Sequence, residues 1–151
     1  MELAVRASST LEIQDDLPVR EGDAYFEGCA GLCTVRSHGV VVVDLPSLLG
    51  LPTPPDAVRR MLLVQDGEHV VALRVGRVRR VSDVPDDEFQ AIELLERFAC
   101  GRWTSTVVRS TRGSSLLIDV PRMFAELGVD AALVDGTGQA LLAERSRDDL
   151  D

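Results

Sequence analysis

The sequence predicts a mainly β protein made of two similar small subdomains, and three observations support this prediction. Its apolar runs are short, rich in valine and separated by turn residues, which is typical of strands. Three segments have the pattern of β-hairpins. Two of these hairpins continue into similar sequences that begin a short apolar helix. A chain of 151 residues can bury one core of ordinary size, or two small cores that share an interface.

Each predicted hairpin joins two apolar runs through a turn that contains glycine. The segments are residues 33–45 (CTVRSHGVVVVDL), 61–75 (MLLVQDGEHVVALRV) and 106–120 (TVVRSTRGSSLLIDV). Gly39 is expected to close the first turn and Gly113 the third. In the second, Asp66-Gly67 is expected to supply the positive φ that a tight hairpin needs.

The first and third hairpins lead into the related segments VVVVDLPSLLGL and LLIDVPRMFAEL. Asp44 and Asp119 can cap helix N-termini by accepting hydrogen bonds from otherwise unpaired amides. Pro46 and Pro121 fall in the first helical turn, where a missing N–H does no harm. We interpret the pattern as an internal repeat of two β subdomains, each ending in a short helix. A chance match of two common local patterns is the alternative.

The remaining segments connect or extend this repeat. Residues 52–60 (PTPPDAVRR) are expected to be extended, because proline restricts both itself and its predecessor. Residues 85–98 (PDDEFQAIELLERF) predict a short amphipathic helix, with acidic residues at its start and apolar residues at helical spacing. Residues 131–151 predict a hairpin or helix followed by an acidic tail.

The composition argues against nucleic acid as a partner. The net charge is −9 and the sequence has no lysine, whereas nucleic-acid binding depends on clustered positive charge. Aromatic residues make up only 4%, too few for base-stacking platforms, so an oligonucleotide-binding β-barrel is a remote alternative. The arginines concentrate at Arg74, Arg77, Arg79 and Arg80. They suit planar contacts with carboxylates across an interface, although genome base composition explains them equally well.

The sequence predicts no catalytic residues, no metal and no cofactor. Cys29, Cys33 and Cys100 lack a paired metal-ligand spacing and are expected to be reduced thiols. His38 and His69 fall in predicted turns. No apolar run approaches the roughly 18 residues of a membrane helix, and the N-terminal residues lack the pattern of a secretion signal. The expected location is the cytoplasm, without membrane insertion.

Three blocks of the chain resemble the CheW-like coupling proteins of bacterial chemotaxis. Residues 26–52 (FEGCAGLCTVRSHGVVVVDLPSLLGLP) resemble the family signature. Residues 61–85 resemble the hairpin that opens its second subdomain, and residues 101–127 are similar to its closing strands and helix. The resemblance implies a pair of small SH3/OB-like β-barrels without catalytic activity. It also implies an adaptor that couples the cytoplasmic tip of methyl-accepting chemoreceptors to the regulatory domain of the chemotaxis histidine kinase.

The resemblance also predicts the domain boundaries and one departure from the family. We expect a CheW-like domain over residues 1–130, with a truncated first subdomain at about 1–51 and a second at about 58–127. The family's N-terminal strands are expected to be missing, which would leave an open edge. Residues 131–143, a partner or a second copy of the chain could pair there; a docked helix or a loose tail is the alternative. Kinase binding is expected to be weakened and receptor binding retained.

The resemblance places a receptor-binding groove between the subdomains, at Leu32, Val35, Arg36, Val78 and Val81. Arg36 would pair with a receptor carboxylate while the apolar residues bury a helix face. Alternatively, the aliphatic residues are core and Arg36 is a turn residue. A second, basic patch at Arg77, Arg79 and Arg80 would face an acidic partner. A CheW-fold interaction module outside chemotaxis, in motility or in regulation of another kinase, is the alternative function.

Overall fold

The computed structural model describes residues 2–21, 29–53, 56–79, 81–92, 103–104, 106–110 and 113–128. The strands are β1 (Leu3–Ala4), β2 (Thr10–Asp15), β3 (Cys29–Val35), β4 (His38–Asp44), β5 (Arg60–Asp66), β6 (His69–Val75), β7 (Phe89–Ala91), β8 (Thr106–Ser110) and β9 (Gly113–Leu117). The α-helices are α1 (Leu45–Leu48) and α2 (Val120–Leu127). One sheet has the order β2-β5-β6-β4-β3 and the other β1-β9-β8-β7. The prediction of a mainly β fold with short helices is confirmed.

Strands β4, β5 and β6 are apolar along most of their length because both of their faces are buried. Alternate residues along each strand belong to different clusters. One cluster lies inside the curled five-stranded sheet and contains Cys33, Val35, Val40, Val42, Met61, Leu63, Val70 and Ala72. The other face of the same strands supplies Val41, Val43, Leu62, Val64, Val71 and Leu73 to the core between that sheet and α2.

The two edges of the five-stranded sheet come together. After β2 the chain crosses to β3, where Arg20 and Leu32 exchange two backbone hydrogen bonds of 2.8 and 3.0 Å. Leu17 and Val19, on the crossing segment, pack against the interior cluster. The sheet is therefore curled into a small, incompletely closed barrel: β2 and β3 do not pair with each other, and the segment after β2 bridges the seam between them.

The four-stranded sheet takes its strands from both ends of the described chain. β1 pairs in parallel with β9, in the register Leu3 opposite Leu116. At the other edge, β7 pairs antiparallel with β8. The guanidinium carbon of Arg6, just after β1, lies 5.1 Å from the ring centroid of Phe89, the first residue of β7. The edges of this sheet thus also approach each other, through a cation–π contact.

The largest core lies between the five-stranded sheet, the α2 helix and the residues around Trp103. Trp103 and Phe124 are fully buried in it. The Trp103 carbonyl accepts a hydrogen bond of 2.8 Å from the Asp119 amide, and its indole N–H donates to the Glu126 carboxylate. The polar atom of this large aromatic residue is therefore satisfied inside the core.

Both predicted helix caps are confirmed. The Asp44 carboxylate accepts from the Ser47 amide at 3.3 Å, and the Asp119 carboxylate accepts from the Arg122 amide at 3.1 Å. Each helix has proline in its first turn. The repeat thus corresponds to two strand–cap–helix units: α1 follows β4 of the five-stranded sheet, and α2 follows β9 of the four-stranded sheet.

The first hairpin turns earlier than predicted. Gly39 lies within β4, opposite Thr34. The pairing of Val35 with His38 leaves only Arg36 and Ser37 in the turn, and both adopt positive φ, at 47° and 69°. A two-residue turn of this type needs positive φ at both central positions, so two non-glycine residues bear the strain. In the second hairpin Gly67 has positive φ as predicted, but Asp66 pairs with His69, so the two turn residues are Gly67 and Glu68. In the third hairpin Gly113 has positive φ and pairs with Ser110, as the first residue of β9.

The prediction of a helix over residues 85–98 is wrong for residues 85–92. Asp86–Glu88 form a short 3-10 turn, and Phe89–Ala91 form β7. Phe89 pairs with Val108, and the ladder to β8 satisfies the backbone groups that a helix would have paired internally. Residues 93–98, and the hairpin expected at residues 131–143, lie outside the described part of the chain.

The sheets do not divide the chain at the boundary expected between residues 51 and 58. β4 pairs in parallel with β6, with Val42 opposite Ala72. The hairpins at residues 33–45 and 61–75, expected in different subdomains, therefore belong to one sheet. β4 and β6 are buried on both faces, so their backbone polar groups are shielded from water, and the parallel pairing supplies hydrogen-bond partners for those groups.

Candidate functional site

The residues predicted to form a groove fall into two groups along the chain. Leu32 and Val35 lie on β3 and Arg36 lies in the turn before β4, whereas Val78 and Val81 follow β6. Because β4 and β6 run parallel, the Arg36 turn and the end of β6 are far apart. The seven residues of β4 alone span about 20 Å. The strand register thus separates the Arg36 turn from the point where the chain leaves β6.

The first group forms a clasp surface, which we define as Glu12, Leu32 and Arg36. The Arg36 guanidinium contacts both carboxylate oxygens of Glu12, at 2.7 and 3.2 Å. The Arg36 side chain is 41% exposed. Glu12 lies on β2 and Arg36 on the β3–β4 turn, so this ion pair spans the seam of the barrel. It also fixes the orientation of a planar, charged group at the surface.

The aliphatic residues of this end differ in accessibility. Leu32 is half-buried and packs against the margin of the core between the sheets. Val35 is only 2% exposed and belongs to the barrel interior. Val35 therefore supports the clasp surface from beneath, and its side chain does not form part of it.

The second group forms a linker surface, which we define as Val58, Arg77, Val78, Arg79 and Val81. Val81 is 79% exposed and Val58 is 57% exposed. Val78 is half-buried, and Arg77 and Arg79 are exposed; Arg80 lies outside the described residues. A Cβ placed on Gly76 would lie 3.9 Å from the Val58 carbonyl oxygen, so the two chain segments adjoin. This end therefore combines exposed aliphatic and cationic groups.

Several arginines beside the linker surface are held by carboxylates. The pairs are Arg59 with Asp44 at 3.2 Å, Arg60 with Asp15 at 3.7 Å, and Arg74 with Asp16 at 3.1 Å. Arg77 and Arg79, in contrast, have no ion pair within the described residues. Their charges face solvent and are available for a carboxylate of another molecule.

The Cys33 thiol is buried, and its surroundings indicate a structural role. Burial raises its pKa, and the nearby Arg74 guanidinium offsets part of that rise. Arg74 also donates to the Leu17 carbonyl at 3.4 Å, across the end of the barrel. A thiol with a raised pKa is protonated at neutral pH and is a poor nucleophile or metal ligand. Both Cys29 and Cys33 are free, and Cys100 is not among the described residues.

The described ranges contain neither a candidate metal-binding cluster nor a helix that could cross a membrane. In those ranges, no cluster of three or more histidine, cysteine or acidic residues is placed to hold a metal ion. The two α-helices in the same ranges are too short to span a membrane.

Two contributors to these surfaces were missed by sequence reasoning. Glu12 lies on β2, and Arg36, the residue it contacts, is 24 positions further along the chain, so no local pattern connects them. Val58 lies in the proline-rich segment, which the sequence marks as extended. Its proximity to Gly76 follows only from the β5–β6 register, in which Arg60 pairs with Val75. A sequence signal for Val58 does exist: an aliphatic residue within a polar connection.

Comparison with known proteins relates this arrangement to a family. A family model described as the CheW-like domain matches residues 2–128. Among solved structures, the scaffolding protein TtCheW from Thermoanaerobacter tengcongensis superposes with a TM-score of 0.68 at 14% sequence identity. The match covers 78% of this chain and 80% of that protein, and it shows a shared fold. No curated protein matches the chain.

Proposed function

The chain belongs to the CheW-like domain family, and from that premise we propose that it is a non-enzymatic scaffold in a bacterial chemosensory array. The match over residues 2–128 is the observation that carries the proposal. Members of this family couple the cytoplasmic tip of chemoreceptors to the regulatory domain of a CheA-type histidine kinase. The proposed partners of this chain are therefore proteins of those two kinds.

The clasp surface is the proposed receptor contact. Leu32 offers an aliphatic side chain at the margin of the core, and Arg36 offers a guanidinium oriented by Glu12. An amphipathic receptor helix can bury an apolar residue against Leu32 and place a carboxylate near Arg36. Because Glu12 restricts the conformations of Arg36 before binding, less side-chain entropy is lost when the complex forms.

The linker surface is the proposed second contact. It begins where Gly76 adjoins Val58, just past the end of β6, and the strand register separates that point from the Arg36 turn of the clasp surface. Val78 and Val81 supply apolar area, while Arg77 and Arg79 favour an acidic partner. Separate surfaces of this kind are what a scaffold requires.

We propose that the kinase is bound more weakly than the receptor. The outer strands of the four-stranded sheet are short, with two residues in β1 and three in β7. Short edge strands offer few backbone groups to a neighbouring barrel. An adaptor that binds the receptor more tightly than the kinase would join receptor clusters while recruiting little kinase, and would limit the growth of an array.

The proposal is tested by titration calorimetry of the full chain. One titration uses a chemoreceptor signalling-tip fragment and the other uses the isolated regulatory domain of the cognate kinase. We expect measurable binding to the receptor fragment and weaker binding to the kinase domain. If this chain and another coupling protein from the same cell bind the kinase domain with equal affinity, the proposal of weakened kinase binding is wrong. Binding to neither would assign this fold a function outside chemotaxis.

A further inference from the structure

The segment after β6 carries positive and negative charge in succession. Arg77 and Arg79 come first, the exposed Val81 follows, and carboxylates occupy the remainder of the segment. The exposed carboxylates are Asp83, Asp86 and Asp87. Opposite charges are thus arranged on the two sides of an exposed aliphatic residue.

These charges are not neutralised within the described part of the molecule. Elsewhere in it, arginines such as Arg36, Arg59 and Arg74 each contact a carboxylate within 3.2 Å. None of the described residues forms an ion pair with Arg77, Arg79 or the three carboxylates. Between Arg77 and Asp83 the described residues form no helix or strand that would fold one half onto the other. Because these side chains are exposed, a partner surface that carries the opposite charges can pair with them.

We propose that this partner is a second copy of the same chain, docked antiparallel on residues 77–87. A two-fold axis near residue 82 places Arg77 of each copy opposite Asp87 of the other. It also brings the two Val81 side chains close to the axis. Such an interface is isologous, and every favourable contact occurs twice. The assignment needs neither the receptor nor the kinase, and so goes beyond the proposed function.

The chemistry of the segment determines how this dimer should behave. Exposed ion pairs contribute little individually, so association is weak and depends on several pairs together. Because these charges are solvent-exposed, salt screens them: the screening length falls from about 10 Å at 0.1 M to about 3 Å at 1 M ionic strength. Burial of the two Val81 side chains adds a contribution that salt does not weaken. The dimer should therefore dissociate substantially, but incompletely, at high salt.

The test is sedimentation velocity of the full chain over a concentration series at low salt. We expect the wild type to self-associate. The variant Arg77→Glu/Arg79→Glu and the variant Asp86→Arg/Asp87→Arg should each bind themselves at least 10-fold more weakly. An equimolar mixture of the two should associate again, because all the facing charges in the mixed dimer are opposite. Arg20→Glu/Arg109→Glu, at two exposed arginines outside this segment, serves as the charge-matched control for Arg77→Glu/Arg79→Glu and should leave association unchanged.

Circular dichroism of each variant checks that the fold is retained. If a charge reversal does not fold, Val81→Ser provides the second test, and it should weaken self-association without changing any charge. A wild type that stays monomeric at every concentration at low salt would overturn the inference. So would self-association that persists unchanged in both charge reversals, or a mixture that does not recover it.

Discussion

At the scale of single residues, Gly31 shows how closely the chain passes itself at the barrel seam. A Cβ at this position would lie 2.3 Å from the Arg20 carbonyl oxygen and 2.9 Å from a methyl carbon of Val19. Its φ of +141° is also unfavourable for any residue with a side chain. Within the segment that resembles the family signature, residues 26–52, Gly31 is thus a position that a residue with a side chain could occupy only with strain.

We predict that Gly31→Ala lowers the free energy of unfolding by about 2–4 kcal/mol, through backbone strain together with overpacking. Urea denaturation followed by circular dichroism measures the change. Gly39→Ala is the matched control, since nothing lies within 4 Å of its added methyl group. That variant should stay within about 0.5 kcal/mol of the wild type. Equal effects at the two positions would contradict the seam geometry.

The buried thiol of Cys33 predicts that the stability of the protein depends on pH. Burial raises the pKa of its thiol above the ordinary value of 9.0, so the folded state favours the protonated form. Well below pH 9.0 the thiol is protonated in both the folded and the unfolded state, so there it does not make the stability depend on pH. As the pH rises further, the unfolded chain releases the proton first, and stability falls.

A variant that retains only Cys33, with Cys29→Ser and Cys100→Ser, should react with a thiol reagent at pH 8 only as fast as the protein unfolds. Its free energy of unfolding should decrease between pH 9 and pH 10. The same variant with Cys33→Ala should lose that part of the decrease. Rapid labelling of the folded protein would show that the thiol is accessible.

At the scale of elements, the sequence predicts local structure well where one residue determines it. Asp119 followed by Val120 and Pro121 specifies a helix start, because cap and proline act within a single turn. The same reasoning fails for residues 85–92. There the pairing of Phe89 with Val108, 19 positions away, outweighs the local helical pattern. The turn at Arg36 and Ser37 was missed for a similar reason, since cross-strand register fixes its position.

The cap on α2 gives a prediction at this scale. Asp119→Ala removes the carboxylate that accepts from the Arg122 amide and should cost about 1 kcal/mol of unfolding free energy. Asp119→Asn should retain most of the stability, because its side-chain oxygen can accept the same hydrogen bond. Asp44 is a less suitable test, since it also pairs with Arg59. Thermal unfolding monitored by the signal of Trp103 provides the comparison.

At the scale of the whole molecule, long-range pairing determines where the surfaces lie. The sequence identifies the hairpins and the family, but not the parallel pairing of β4 with β6. That pairing separates the Arg36 turn from the end of β6, after which Val81 follows. Glu12 joins Arg36 through a contact that no local pattern predicts.

Titration of a receptor signalling-tip fragment into two variants tests most directly whether the two surfaces bind different partners. Glu12→Arg/Arg36→Glu exchanges the charges of the clasp while preserving an ion pair across the seam. Val81→Ser changes only the linker surface. We predict that the exchange weakens receptor binding about 10-fold or more and that Val81→Ser binds like the wild type. Wild-type affinity in the exchange variant, with binding lost in Val81→Ser, would contradict the account.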